Sequence, residues 1–373
     1  MDAWAFLQEL MRIPHRGSTT PEEARAARWL KEKLEAMGAE VEVIPFRAPS
    51  DTLYRGPALV ALLMALALAL SALWPALRWG GLLLCLVLLS LLVGELQGSL
   101  TWDLDRILPK GGSQNVLARF GKGSPAFILM AHYDTQKGSW LFHPRLKKGL
   151  RPLFLGVYLL FFAAPLLLLW GEPWALTAEA FLLLTAGLSF LQAAFTGRPV
   201  PGANDNGSGT ALALSLAETL KDEGPGPFWV VLTGAEEVGE RGAKAFLRQF
   251  AEELSEKPPL INLDNLGAGG MRLLEREGAL WPLRYPRSLR RLAQMVAEEA
   301  GVSLRPLPSL LLPTDGLPFL AQKWPALTFC ATLPSGEIPH YHHESDILEH
   351  VDGELLRREE TFLLALLRRL GRG

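Results

Sequence analysis

Two pairs of long apolar runs interrupt this chain, at residues 58–77 with 81–97 and at 152–170 with 174–195. Each run has close to the ~20 residues that a helix needs to cross a bilayer core of ~30 Å. Lipid offers the backbone no hydrogen-bond partner, so such runs cross as helices. The joining segments, Arg78-Trp79-Gly80-Gly81 and Gly171-Glu172-Pro173, are short, which makes each pair a hairpin. Trp74, Trp79, Trp170 and Trp174 stand at these turns, where amphipathic rings favour the membrane interface. The alternative, four buried core helices, leaves the tryptophans unexplained. The last run is the weakest of the four, because it carries Glu179, Thr185 and Gln192.

Outside the runs the pattern is that of one α/β domain, and 373 residues give room for it. A short helix is expected over 3–12 and another from Pro21 to Met37, with Thr20 as its N-cap and Glu22 and Glu23 in its first turn. Residues 41–44 alternate as a strand does. Strands are expected at 115–120, 125–132, 228–233, 260–264 and 326–331. Helices are expected at 208–221, 240–254, 287–300 and 352–370. This alternation predicts an α/β fold with a mixed, mostly parallel sheet and helices on both faces, plus the two hairpins. The net charge is −2 and no basic run occurs, which argues against nucleic acid as a partner. Cys85 and Cys330 have no CxxC spacing, so neither a disulfide framework nor a zinc ribbon is expected. The start, Met1-Asp2-Ala3-Trp4, lacks the basic region of a secretory signal.

Residues with metal-binding chemistry follow the apolar strands. His132 and Asp134 come just after the run 127–131, and Asp264 ends the run 260–263. Ligand sites in open α/β sheets collect at the carboxyl ends of strands. Glu236 and Glu237 follow the strand 228–233, and two adjacent carboxylates are costly to bury without cations. Asp205 sits in Gly202-Ala203-Asn204-Asp205-Asn206-Gly207-Ser208-Gly209. That stretch fits neither a P-loop nor a dinucleotide fingerprint, but its glycines allow a tight fold that turns Asp205 inward. A histidine cluster, His340-Tyr341-His342-His343, completes the set. Histidine and carboxylate suit zinc, and a carboxylate can bridge two ions. Taken singly, each fragment also reads as a loop histidine, a capping loop or a solvated helix start.

In this order the fragments resemble the M28 family of zinc peptidases, the di-zinc aminopeptidases. The likeness rests on Ala131-His132-Tyr133-Asp134, the Gly202–Gly209 stretch, Glu236-Glu237-Val238-Gly239, Asn262-Leu263-Asp264 and Tyr341-His342 with Asp346. It covers residues 1–56, 98–150 and 196–373, which would form the catalytic domain. Residues 57–97 and 151–195 would be inserted transmembrane hairpins. The resemblance implies a zinc-dependent exopeptidase acting on peptides, an aminopeptidase first of all, with two zinc ions or another divalent metal in their place. It implies His132 and Asp264 on one ion, Glu237 and His342 on the other, and Asp205 bridging them. Glu236 would be the general base and Asp134 the partner of the His132 imidazole. His342 is preferred to His343 because it follows a tyrosine and stands four residues before Asp346. Carboxypeptidase or dipeptidase action, a glutaminyl-cyclase-like acyltransferase with one zinc, and a non-catalytic membrane scaffold are the rival readings. One departure is Thr314-Asp315-Gly316-Leu317-Pro318-Phe319, where the family often has Ser-Asp-His-x-Pro-Phe.

Asp205 lies about ten residues past the last apolar run, so at ~3.3–3.6 Å per residue the site is expected within roughly 35 Å of the bilayer. Membrane-proximal peptides are therefore the expected substrates. Arg55, Arg145, Lys147, Lys148, Arg151 and Arg198 flank the domain side of the runs, against Arg78 at the opposite turns. The positive-inside rule then places the catalytic domain in the cytoplasm, on an integral membrane protein with four transmembrane helices.

Overall fold

Capping decides where the first elements start. Asp2 accepts the Ala5 N–H at 2.9 Å and opens α1 (Ala3–Leu10). Thr20 caps α2 (Pro21–Ala36), with Pro21 at its first position and Glu22 and Glu23 in its first turn, as the sequence predicts. β1 (Glu40–Pro49) runs longer than its alternating stretch because it pairs along its whole length with β2 (Lys110–Phe120). Between them lie α3 (Arg55–Leu73) and α4 (Arg78–Leu96). β3 (Ile128–His132) precedes α5 (Lys147–Trp170) and α6 (Pro173–Thr196). Then follow α7 (Gly209–Glu223), β4 (Phe228–Thr233), α8 (Arg241–Phe250) and β5 (Leu260–Leu263). After β6 (Gly270–Leu274) comes a small hairpin of β7 (Arg276–Glu277) and β8 (Leu283–Arg284). The chain ends through α9 (Arg287–Glu299), β9 (Arg305–Leu307), α10 (Gly316–Ala321), β10 (Ala326–Thr332) and α11 (Gly353–Gly371). This computed structural model describes residues 1–373 except 50–51, 144–146, 225, 311 and 373. Arg145 and the side chains of Lys147, Lys148 and Arg151, on which the membrane orientation partly rests, lie outside the described residues.

Eight strands form one sheet in the order β1-β2-β4-β3-β5-β10-β6-β9. Its centre, β4-β3-β5-β10, is parallel, and antiparallel pairs flank it. Successive residues of β3 serve opposite faces: Leu129 and Ala131 join the core under α1, α2, α7, α9 and α11, while Ile128 and Met130 join the core under α8 and α10. That period of two puts helices on both faces of the sheet. The parallel direction of β3, β4 and β5 brings their carboxyl ends to one edge, with His132 in register with Thr233 and Met130 with Asn262.

Helices α3, α4, α5 and α6 pack on one another around a separate apolar core that includes Met64, Leu68, Leu88, Phe161 and Leu183. Their apolar windows have mean hydropathies of 2.3, 2.2, 2.4 and 1.6, and all four are long enough to cross a membrane. One expected turn is corrected. Arg78-Trp79-Gly80-Gly81 is the first turn of α4, and the chain reverses at Trp74–Leu77 instead. Pro75 forces this: Trp74 before it is extended, at φ −129° and ψ 91°, because a residue preceding proline avoids the helical region. Both hairpin turns lie at the same end, where Arg78 donates to the Gly171 carbonyl at 3.1 Å. The four turn tryptophans are all exposed there. Of the polar residues in α6, Thr185 bonds the Phe181 carbonyl and Gln192 accepts the Trp140 indole N–H at 2.7 Å.

The α3–α6 contact depends on small residues. A Cβ on Gly187 would stand 2.8 Å from Leu62 Cγ and 3.3 Å from Ala61 Cβ. Close backbone approach of this kind is how apolar helices associate in lipid. Gly187→Leu is expected to force α3 and α6 apart and to destabilise the bundle by about 1–3 kcal/mol. The midpoint of heat-induced aggregation in detergent should fall, whereas Leu188→Ala on the exposed face should leave it in place.

Candidate metal centre

Each candidate ligand reaches the sheet edge by its own local device. His132 is the last residue of β3 and Asp264 follows β5 directly. Glu236 and Glu237 open a short turn after β4, behind Ala235 at φ 50°. That left-handed alanine is held by its N–H on Glu23 Oε1 at 3.0 Å. Asp205 sits in the irregular turn 203–208, where it and Asn206 leave helical dihedrals. The turn begins at Gly202 with φ 68°, and a Cβ there would lie 2.2 Å from Thr135 Cγ2, so only glycine fits. His342 comes from the loop before α11, its ring 4.6 Å from that of Phe142 and 3.9 Å from that of Tyr341.

These residues converge. His132 Nε2 lies 3.4 Å from Asp205 Oδ1 and 3.4 Å from Asp264 Oδ1. His342 Nε2 lies 3.3 Å from Asp205 Oδ2 and 3.0 Å from Glu237 Oε2. The two oxygens of Asp205 thus face two different ligand pairs. His132-Asp205-Asp264 and Asp205-Glu237-His342 each bring three donor atoms within 4.8 Å of one another, and so do His132, Glu236 and Glu237. Glu236 Oε2 is 3.9 Å from His132 Nε2.

The donors fit cations. Four carboxylates and two imidazoles are buried together here, and Asp205 Oδ2 and Glu237 Oε1 accept no hydrogen bond. Burial pushes Glu237 up to about 7. Burial opposes the charge on His342, but Glu237 and Asp205 outweigh it and hold its pKa up at about 10. Four buried carboxylates outnumber the two imidazoles, and such an excess of buried negative charge carries a large free-energy cost unless further positive charge joins it. Oxygen and imidazole nitrogen are donors suited to zinc.

Asp134 does more than its sequence position suggests. Its Oδ1 accepts the Glu236 N–H at 3.0 Å, and its Oδ2 accepts the Glu237 N–H at 3.2 Å and the Ser18 hydroxyl at 2.6 Å. The His132 Nδ1 is closer to the Asp134 main-chain oxygen, at 3.3 Å, than to its carboxylate, at 3.6 Å. Asp346, read from sequence only as a spacing mark, accepts the Asn204 and Asp205 N–H groups at 2.7 and 2.9 Å and so fixes the turn that presents Asp205. Buried Arg16 donates to the carbonyls of Tyr133, Pro201 and Gly202 at 2.5, 2.9 and 2.6 Å. Asn265 donates to Asp264 and Asp205 at 2.7 and 3.1 Å. Gln136 donates to the Glu237 carbonyl at 2.7 Å. Asp315, of the divergent Thr314–Phe319 stretch, is buried and bonded by the Thr233 hydroxyl. Sequence reading missed Arg16, Ser18, Gln136 and Asn265, which carry no local signal. Asp346→Ala should loosen the Asp205 turn and weaken zinc binding by about 10–100-fold, measured by competition with a chelator of known affinity.

The fold and the donor set define a class, α/β proteins with a candidate metal site at the carboxyl ends of the sheet strands. The sequence pattern described as Peptidase family M28 matches residues 177–367, half of the chain, and the chain belongs to that family. It is similar to Aminopeptidase YwaD of Bacillus subtilis (strain 168), 29% identical over 175 residues that make up 44% of this chain and 37% of that protein. The match therefore spans little more than a third of the curated relative. Among solved structures, the glutaminyl cyclase of Bacteroides thetaiotaomicron superposes with a TM-score of 0.61 at 14% identity, over 98% of this chain and 96% of the other. BSAP, a zinc aminopeptidase from Bacillus subtilis, does so with 0.58 at 15% identity, over 98% and 94%. At such identities the shared property is the fold.

Proposed function

We propose that this chain is a membrane-anchored di-zinc peptidase that removes N-terminal residues from peptides. Residues 1–56, 98–150 and 196–373 form its catalytic domain, and 57–97 and 151–195 are hairpins that cross the bilayer. The observation that supports this most is the Asp205 carboxylate between His132 with Asp264 on one side and Glu237 with His342 on the other. Zinc held by these residues would supply an activated water and a positive charge for the oxygen of the scissile carbonyl. Glu236 takes the proton from the attacking water and passes it to the departing amine as the C–N bond breaks. Asp134, through the Glu236 and Glu237 N–H groups, fixes the backbone that carries both carboxylates.

Activity on matched free and N-blocked peptides, with and without chelator, tests the reading. Hydrolysis of free peptides alone, abolished by chelator and restored by zinc, is the expected result. Cleavage of blocked peptides from the carboxyl end would replace it with a carboxypeptidase. Cyclisation of N-terminal glutamine without hydrolysis would favour the acyltransferase reading, which the likeness to a glutaminyl cyclase fold supports. The basic flanks Arg55 and Arg198 favour a cytoplasmic catalytic domain. Protease shaving of intact cells would leave such a domain untouched.

A further inference from the structure

Glu236 and Glu237 face a cavity of about 130 Å³ that all four apolar helices help to wall. Gly56 of α3, Leu92 of α4, Phe161 of α5 and Phe190 of α6 line it. A second cavity, of about 470 Å³, lies between α5 and α6 and is lined by Leu153, Leu160, Leu182 and Ala186 among others. Leu153 and Leu182 are each 48% exposed, so this outer cavity opens on the flank of the bundle that bilayer would cover. The two cavities share Phe154, Val157 and Phe190. These three side chains are the partition between them.

We propose that the two cavities form one route, by which an apolar peptide passes sideways from the bilayer to the catalytic edge. The inference rests on the peptidase reading and names its substrate class. The outer cavity holds an apolar stretch of the peptide. Phe154, Val157 and Phe190 act as the gate. The inner cavity takes the apolar side chain beside the scissile bond. Its size matches one such side chain, since an apolar cavity of about 150 Å³ holds benzene. A peptide fits the route better than a lipid acyl chain. The inner cavity ends on Glu236, Glu237, Glu240 and Arg241, charged groups that a terminal methyl could not satisfy. An unwound peptide end brings an ammonium group, N–H donors and carbonyl acceptors, which must find partners once they leave a helix in lipid.

The test uses the full chain in lipid nanodiscs and two peptides of equal length. One is apolar and carries a photoreactive leucine at its second residue, and the other is polar with an N-terminal alanine. Burial of one large apolar side chain predicts a preference in kcat/KM of about 10–100-fold for the apolar peptide. Val157→Trp, which fills the partition, should erase that preference. Ala186→Phe, which narrows the outer cavity from α6, should do the same, so one misfolded variant does not decide the matter. Leu188→Trp on the exposed face should leave the ratio unchanged. Photolysis with the metal-free protein should label α5 and α6 around the partition. Labels there without cleavage of any peptide would sink the peptidase reading and leave the route standing. Cleavage with no apolar preference, and labels confined to the outside of the bundle, would overturn the route and leave the peptidase reading intact. Labelling of the partition by a photoreactive lipid that the apolar peptide cannot displace would also overturn it.

Discussion

Replacing Glu236 by glutamine is expected to slow peptide hydrolysis by about 10²–10⁴-fold, the range that one general base contributes, with zinc content unchanged. Glutamine keeps the volume of the side chain and the Glu236 N–H bond to Asp134, but it cannot take a proton from water. Burial raises the Glu236 pKa well above the usual carboxylate range, and Asp315, Glu237 and Asp264 push the same way against His132. Glu236 also lies within reach of His132 and Glu237 in one donor group, so metal analysis must accompany the kinetics. Loss of a zinc equivalent in Glu236→Gln would make this residue a ligand, and full activity would remove it from proton transfer.

Arg241→Ala should destabilise the protein by about 3–5 kcal/mol, the usual cost of taking one partner from a buried ion pair. Arg241 is 2% exposed and donates to Glu95 Oε2 and Asp103 Oδ2, both at 2.7 Å. Lys244, wholly buried, stands 3.4 Å from Glu95, 3.7 Å from Asp103 and 3.4 Å from Glu240. Glu95 and Asp103 hold the Arg241 pKa above its ordinary value in spite of burial. This network ties the end of α4 and the segment after it to the turn that carries Glu236 and Glu237. The loss should appear as a lower midpoint of thermal unfolding in detergent and as faster proteolysis between 98 and 109. Arg241→Lys keeps the charge but not the two-pronged donor, so its loss should be smaller. An unchanged midpoint in Arg241→Ala would mean that the helices are held to the domain by apolar packing alone.

His132, Glu236, Glu237 and Asp264 were legible because each follows an apolar run that becomes a parallel strand, and the ends of such strands share an edge. Asp205 was legible through the glycines around it. His342 was not legible from its surroundings, since His340 and His343 lie in the same loop, and only the Tyr341 and Asp346 spacing separates them. The helices α3 to α6 are plain from length and hydropathy, but the reversal at Trp74–Leu77 is not, because Gly80 and Gly81 look like a turn and Pro75 decides. The short strands β6 and β9 at one margin of the sheet are not legible, because their three to five residues carry no clear alternation. The supports at Arg16, Asn265 and Gln136 join segments far apart in the chain, and no local pattern reports such a contact. Nor could sequence reveal that the Glu236 cavity is walled by the apolar helices, since that follows only from how the bundle docks.

Zinc analysis of the purified full chain, wild type beside His342→Ala, tests the account at its centre. Asp205 between two ligand pairs predicts two equivalents per chain in the wild type and about one in the variant, because His342 serves a single ion. A single equivalent in the wild type, or an unaltered count without His342, would contradict the paired-ion site.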